Sequence, residues 1–123
     1  MTIDANIVIA YLAGDKQVIS TLSDWRERGL TLFLSTVVET EVLSFSGWSA
    51  REFRAIEVFL LENFTSIPFD RPVAAIAASI RRSTKTKFPD AAIAATALFT
   101  RTPPVTRNLR DFKAIAGLRI VTL

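Results

Sequence analysis

Four acidic residues, Asp4, Glu41, Asp90 and Asp111, together with Asn6, Thr106 and Asn108, are the side chains through which this sequence could do chemistry. The chain has no cysteine and no histidine, which removes a thiol nucleophile, a disulfide framework, a Cys/His zinc site and a Ser-His-Asp triad. Hydrolytic chemistry would therefore rest on carboxylates, which act most naturally through hard divalent cations that take oxygen ligands. Several such acids brought together cannot be neutral bystanders, because two carboxylates about 4 Å apart repel by roughly 1 to 4 kcal/mol, depending on the local dielectric. A cluster of that kind calls for a divalent ion or for raised pKa values.

The elements that must position these residues read as alternating strands and helices. "TIDA" is a very short strand running into the helix "NIVIAYLAG", which Gly14 stops, and Asp15 caps "KQVISTLSDWRERG". "LTLFLS" is a buried strand and "TVVETEVLSFS" continues as helix. Ser49 and Glu52 have capping-box spacing ahead of a helix whose Phe53, Ile56, Leu60 and Phe64 form an apolar stripe. "TSIPF" reads as a strand, and Asp70 as the cap of a helix from about Arg71 to Arg82 with Pro72 in its first turn. After the basic connection "RRSTKTKFP" come an almost wholly apolar helix opened by Asp90, the strand "TPPVT", a short helix "NLRDFKAI" and a last strand "LRIVTL". Strands separated by helices imply crossover connections, hence an α/β protein with a mostly parallel sheet covered on both faces. Ligands of such sheets gather beyond the carboxyl ends of the strands, where the strand order reverses.

At 123 residues the chain is expected to form one domain. No apolar run approaches about 18 residues and no leader-like segment is visible, so neither a membrane span nor a signal peptide is expected, and a cytoplasmic location is. No Gly-rich phosphate loop follows the first strand, which leaves a dinucleotide or P-loop reading without support. Formal net charge is +3, with much of the excess in Arg81, Arg82, Lys85 and Lys87 and in Arg101, Arg107, Arg110 and Lys113. These are either a solvated basic face or contacts for a polyanion.

Each acid has a plain structural reading beside the chemical one. Asp4 ends the first strand and also suits a cap for the helix near Asn6. At about 100° per residue, Glu41 projects between Val37 on one side and Val38 and Phe45 on the other, inside the apolar arc. There it is paired, protonated or cation-bound, or it snorkels outward. Asp90 heads the stripe of Ile93, Ala94 and Ala97 and is expected to be the N-cap, a role compatible with offering its second oxygen to a cation. Asn108 and Asp111 suit caps of the short helix that follows.

Taken in order, "MTIDANIVIAYL", "LSTVVETEVLS", "FPDAAIAATAL" and "PPVTRNLRDF" resemble the PIN-domain family, and within it the VapC-type toxins of toxin–antitoxin pairs. The last two segments are the most specific, and the resemblance spans nearly the whole chain. It implies a three-layer α/β/α sandwich around a parallel sheet of about five strands. It also implies an endoribonuclease dependent on Mg²⁺, with Mn²⁺ as a substitute. Asp4, Glu41 and Asp90 match the family's acidic positions as metal ligands. Where many relatives have a fourth acid this chain has Asn108, with Asp111 as the alternative source of that charge; Thr106 matches a polar helper, and Asn6 would orient Asp4. Ala5 departs from a common Thr. On this resemblance Arg81, Arg82, Lys85, Lys87, Arg107 and Arg110 would hold the RNA backbone that the acids repel. A homodimer and a cognate antitoxin are implied as well, with Phe45, Trp48, Phe53 and Phe59 as exposed apolar contacts, although Phe53 also fits the core stripe. Two rivals remain: a PIN-like module that binds without cutting, and a phosphoacceptor domain, for which Asp70 would be the acceptor and Asp4 lacks an acidic neighbour.

Overall fold

The computed structural model describes all of residues 1–123. Five parallel strands form one sheet: β1 (Thr2–Ile3), β2 (Phe33–Ser35), β3 (Thr65–Ile67), β4 (Pro104–Thr106) and β5 (Val121–Thr122). Their spatial order is β3-β2-β1-β4-β5. The chain builds outward from β1 through β2 to β3, then returns to the other side of β1 for β4 and β5. The order thus reverses between β1 and β4, where Thr2 pairs with Pro104 and Ile3 with Val105, and the crevice beyond that junction is the natural site. Six helices connect the strands: α1 (Ala5–Leu12), α2 (Lys16–Glu27), α3 (Thr36–Leu43), α4 (Ala50–Asn63), α5 (Arg71–Ser83) and α6 (Phe88–Thr100). None is long and apolar enough to cross a membrane.

Most helices start at short polar side chains that accept otherwise unpaired first-turn N–H groups. Asp4 accepts from Ala5 N, Asp15 from Val18 N, Ser35 from Val37 N and Asp70 from Val73 N, while Ser49 and Glu52 close the full capping box of α4. Gly14, at φ 85°, supplies the left-handed turn after α1. Helix α6 is the hub: it packs across β1, β2 and β4 and lies against α5. Its run of alanines, Ala91, Ala92, Ala94, Ala95 and Ala97, is essentially fully buried, and such small side chains let backbones approach closely. Ile3, Leu34, Val38, Ile93, Val105 and Phe112 fill the core around it.

The structure corrects several sequence expectations. Helix α6 begins at Phe88, with Lys87 as an N-cap that makes no side-chain bond, so Asp90 is a first-turn residue and not the cap. Pro89 explains the shift, because proline is tolerated in a first helical turn, where no N–H is needed. Helix α3 stops at Leu43, leaving Phe45 outside it and exposed. "NLRDFKAI" forms only a 3-10 turn at Leu109–Asp111, and Asn108 makes no side-chain capping bond there. Phe53 is solvent-exposed although it shares the stripe of Ile56, Leu60 and Phe64. Among the other aromatic residues named as exposed contacts, Phe59 is half-buried between Tyr11 and Phe64, with ring centroids 4.8 and 5.7 Å away. Trp48 is half-buried and donates its indole N–H to Val42 O at 3.0 Å. Phe45 and Phe53 alone are open.

Candidate active site

The carboxyl end of β1 delivers Asp4 into the crevice beside β4, and burial there requires hydrogen bonds. Asp4 is 6% exposed. Its Oδ1 accepts from Ala5 N at 2.7 Å and its Oδ2 from Thr106 Oγ1 at 2.6 Å. Thr106 Oγ1 in turn accepts from Asn6 Nδ2 at 3.2 Å and Asn108 N at 2.9 Å. A hydroxyl has one proton and two lone pairs, so with both acceptor places taken its proton is committed to Asp4. Asn6 Oδ1 also accepts from Arg107 N at 3.2 Å, tying the loop after β4 to α1. Even so, the Asp4 pKa is raised. Burial is the main cause and the Asp111 charge adds to it, with Thr106, Ala5 and Asn6 acting in the opposite direction.

Asp90 enters the same crevice from the first turn of α6, half-buried and with no hydrogen-bond donor from the protein. Its pKa is pushed up to about 6, first by burial and then by Asp111, Asp4 and Glu41, against a lowering by Lys87. Glu41 departs from expectation. The inward arc of α3 is Val38 and Val42, and Glu41 lies outside it and reaches solvent at the rim. Protein along one flank still strips enough water to raise its pKa, and Asp4 adds to the rise. Asp111 is half-buried and accepts an amide N–H from Asn108. Four acids from four separate segments therefore share one electrostatic neighbourhood.

A divalent ion fits this donor set chemically: all are hard oxygen ligands, and Asp90 and Glu41 have lone pairs that no protein group occupies. No three acids enclose a common ligating point as they stand. Mg²⁺ accommodates that arrangement, since it usually keeps several waters and takes only one or two carboxylates.

The basic residues separate into groups that sequence position did not distinguish. Arg107 donates from Nη2 to Asp15 Oδ2 at 2.6 Å, in an ion pair that spans 92 positions of sequence. Its guanidinium is thereby turned to α2, and no local signal in the sequence announces the partnership. Arg81 and Arg82 are exposed in the last turn of α5. Lys85, Lys87 and Arg110 line a cleft of about 230 Å³ together with Asp90 and Asp111. Arg101 faces a different cavity, shared with Arg119, at the opposite end of β4.

A family model described as PIN domain matches residues 1–118. Among solved structures, VapBC2 from Rickettsia felis, bound to a DNA fragment from its promoter, superposes with a TM-score of 0.86. It is 20% identical over 99% of this chain and 97% of that one, a likeness of fold alone. A toxin–antitoxin complex from Klebsiella pneumoniae gives a TM-score of 0.78 at 27% identity, covering 96% of this chain and 94% of its own. FitAcB from Neisseria gonorrhoeae gives 0.79 at 25%, covering 98% and 95%. No curated protein matches the chain by sequence.

Proposed function

The chain belongs to the PIN domain family, and from that premise we propose that it is a divalent-metal-dependent endoribonuclease, the toxin of a toxin–antitoxin pair. The single observation that carries the reading is Asp90: a half-buried carboxyl with no protein donor, held near pKa 6 by burial and by three other acids. A carboxyl so placed, in a crevice with three other acids, marks a site that a cation would use. Mg²⁺ or Mn²⁺, held by Asp4, Glu41 and Asp90 with Asp111 beside them, would supply charge neutralisation and Lewis acidity at the scissile phosphate. The chain's own residues do the positioning. Thr106 and the Ala5 N–H fix both oxygens of Asp4, and Asn6 fixes Thr106 and the loop that carries Asn108 and Asp111. The similar toxin–antitoxin complex from Klebsiella pneumoniae, at 27% identity, supports an antitoxin partner. A homodimer goes with the same reading.

The absence of a three-acid ligating cluster favours one alternative, a PIN-like module that binds RNA or protein without efficient cutting. Cleavage of total RNA by the purified, antitoxin-free protein, with Mg²⁺, Mn²⁺ or chelator, separates the two. Cutting should vanish with chelator and in a folded Asp4→Asn variant. Binding that persists without any cutting, equal in wild type and variant, would install the alternative.

A further inference from the structure

Three cations stand beside two of the acids. Lys85, Lys87 and Arg110 line the cleft that adjoins Asp90 and Asp111. None of the three takes part in an ion pair, since the pairs in the molecule are Arg28 with Asp24 and Arg107 with Asp15. Arg107, next to this loop in sequence, is therefore committed elsewhere. The cleft volume, about 230 Å³, lies below the roughly 300 to 1,000 Å³ of sites that engulf whole small molecules. Ala114 is its one apolar lining residue, so it offers no aromatic platform for a base and no apolar anchor for a protein side chain. A small, wet, cationic recess suits an isolated anionic group.

We infer that this cleft is a phosphate subsite that holds a backbone phosphate next to the scissile one, through Lys87 and Arg110 with Lys85 at its mouth. The inference rests on the nuclease reading and adds a path to it: the strand leaves the acids over the α5–α6 connection, gripped by charge and not by sequence. Two carboxylates, Asp90 and Asp111, share the cleft. The phosphate is accordingly held from the lysine and arginine side, while the acids face the reacting centre.

The test is binding, measured apart from cleavage. Fluorescence anisotropy of a short, labelled single-stranded RNA of mixed sequence would be followed across a salt series in chelator. The proteins are the wild type, the Lys87→Ala/Arg110→Ala double variant and Arg119→Ala, which removes a charge at the opposite end of the sheet. All three positions are exposed, and Lys87 contributes no side-chain cap, so folding is expected to survive. The double variant should bind roughly tenfold more weakly. Its slope of log affinity against log salt should fall by about 0.7, the value for one single-strand phosphate contact. An abasic RNA should lose the same factor. Unchanged affinity and slope in the double variant, with wild type cutting RNA, would remove the subsite and leave the nuclease reading intact. An equal loss in Arg119→Ala would also remove it, because net charge alone would then be acting. Wild type that neither binds nor cuts any RNA would defeat the nuclease reading and the subsite with it.

Discussion

The two ends of β1 carry two buried polar clusters that obey opposite rules. At the amino end, Thr2 Oγ1 shares hydrogen bonds with Thr102 Oγ1 at 2.7 Å and Thr100 Oγ1 at 3.2 Å, and those two hydroxyls also bond each other at 2.9 Å. Thr100 further donates to Thr96 O at 2.8 Å. That cluster is neutral and closed on itself, joining β1 to the end of α6. Two residues further along, Asp4 joins three other acids, Glu41, Asp90 and Asp111, among which Asp90 finds no donor at all. The first arrangement lowers the free energy of the fold and the second raises it. Thr2 and Asp4 are both buried and both hydrogen-bonded, and only the second gathers like charge around it, which teaches that burial alone does not mark a site; unmet charge does.

The largest effect that would sharpen this contrast is expected at Thr106. Thr106→Val leaves Asp4 Oδ2 without its donor and should weaken Mn²⁺ binding about 10- to 100-fold in titration calorimetry, while Thr106→Ser should restore it. Retained affinity in the valine variant would mean that Asp4 needs no fixing.

A smaller effect is expected in the pH dependence of stability. The folded Asp90 carboxyl, at about 6, lies above its ordinary 3.8, so the folded state binds its proton more tightly than the unfolded state does. Metal-free protein is accordingly favoured while Asp90 is protonated and loses that advantage as pH rises from about 3.8 through about 6. Asp90→Asn should therefore be more stable than wild type above pH 6, by on the order of 1 kcal/mol after discounting for solvent screening. The difference should shrink toward pH 4, and urea melts in chelator at several pH values would show whether it does. A variant that is less stable at every pH would make Asp90 a structural residue.

The smallest effect belongs to the opposite end of the strand. Thr2→Val should cost about 1 kcal/mol of unfolding free energy and leave metal affinity and RNA cleavage unchanged. A loss of cleavage there would break the comparison, since it would couple the closed cluster to the open one.

Legibility in the sequence follows the range of the interactions. The capping box of Ser49 and Glu52, the caps Asp15 and Asp70 and the alternation of strand and helix are set by neighbours a few positions away, and the chain folds as they indicate. Asp4, Thr106 and Asn108 follow strands whose ends a parallel α/β sheet places together, Asn6 enters through the family resemblance, and the structure joins the four in one hydrogen-bond network. Asp90 as a cap was misread because proline in a first turn and proline ending a loop look alike in one dimension. Glu41 was misplaced because the arc on α3 was extended to Phe45, beyond the point where the helix stops.

By itself, then, the sequence determined the element order, most helix starts and the absence of any thiol or imidazole chemistry, since these depend on composition and on contacts within a turn or two. Tertiary structure alone decided which carboxylates feel one another, that Asp4 meets Thr106 across 102 positions, and that Arg107 is spent on Asp15 while Lys87 and Arg110 stay unpaired. The physical reason is that burial and Coulomb interaction depend on distance in space. The chain sets those distances only after the strand order reverses between β1 and β4.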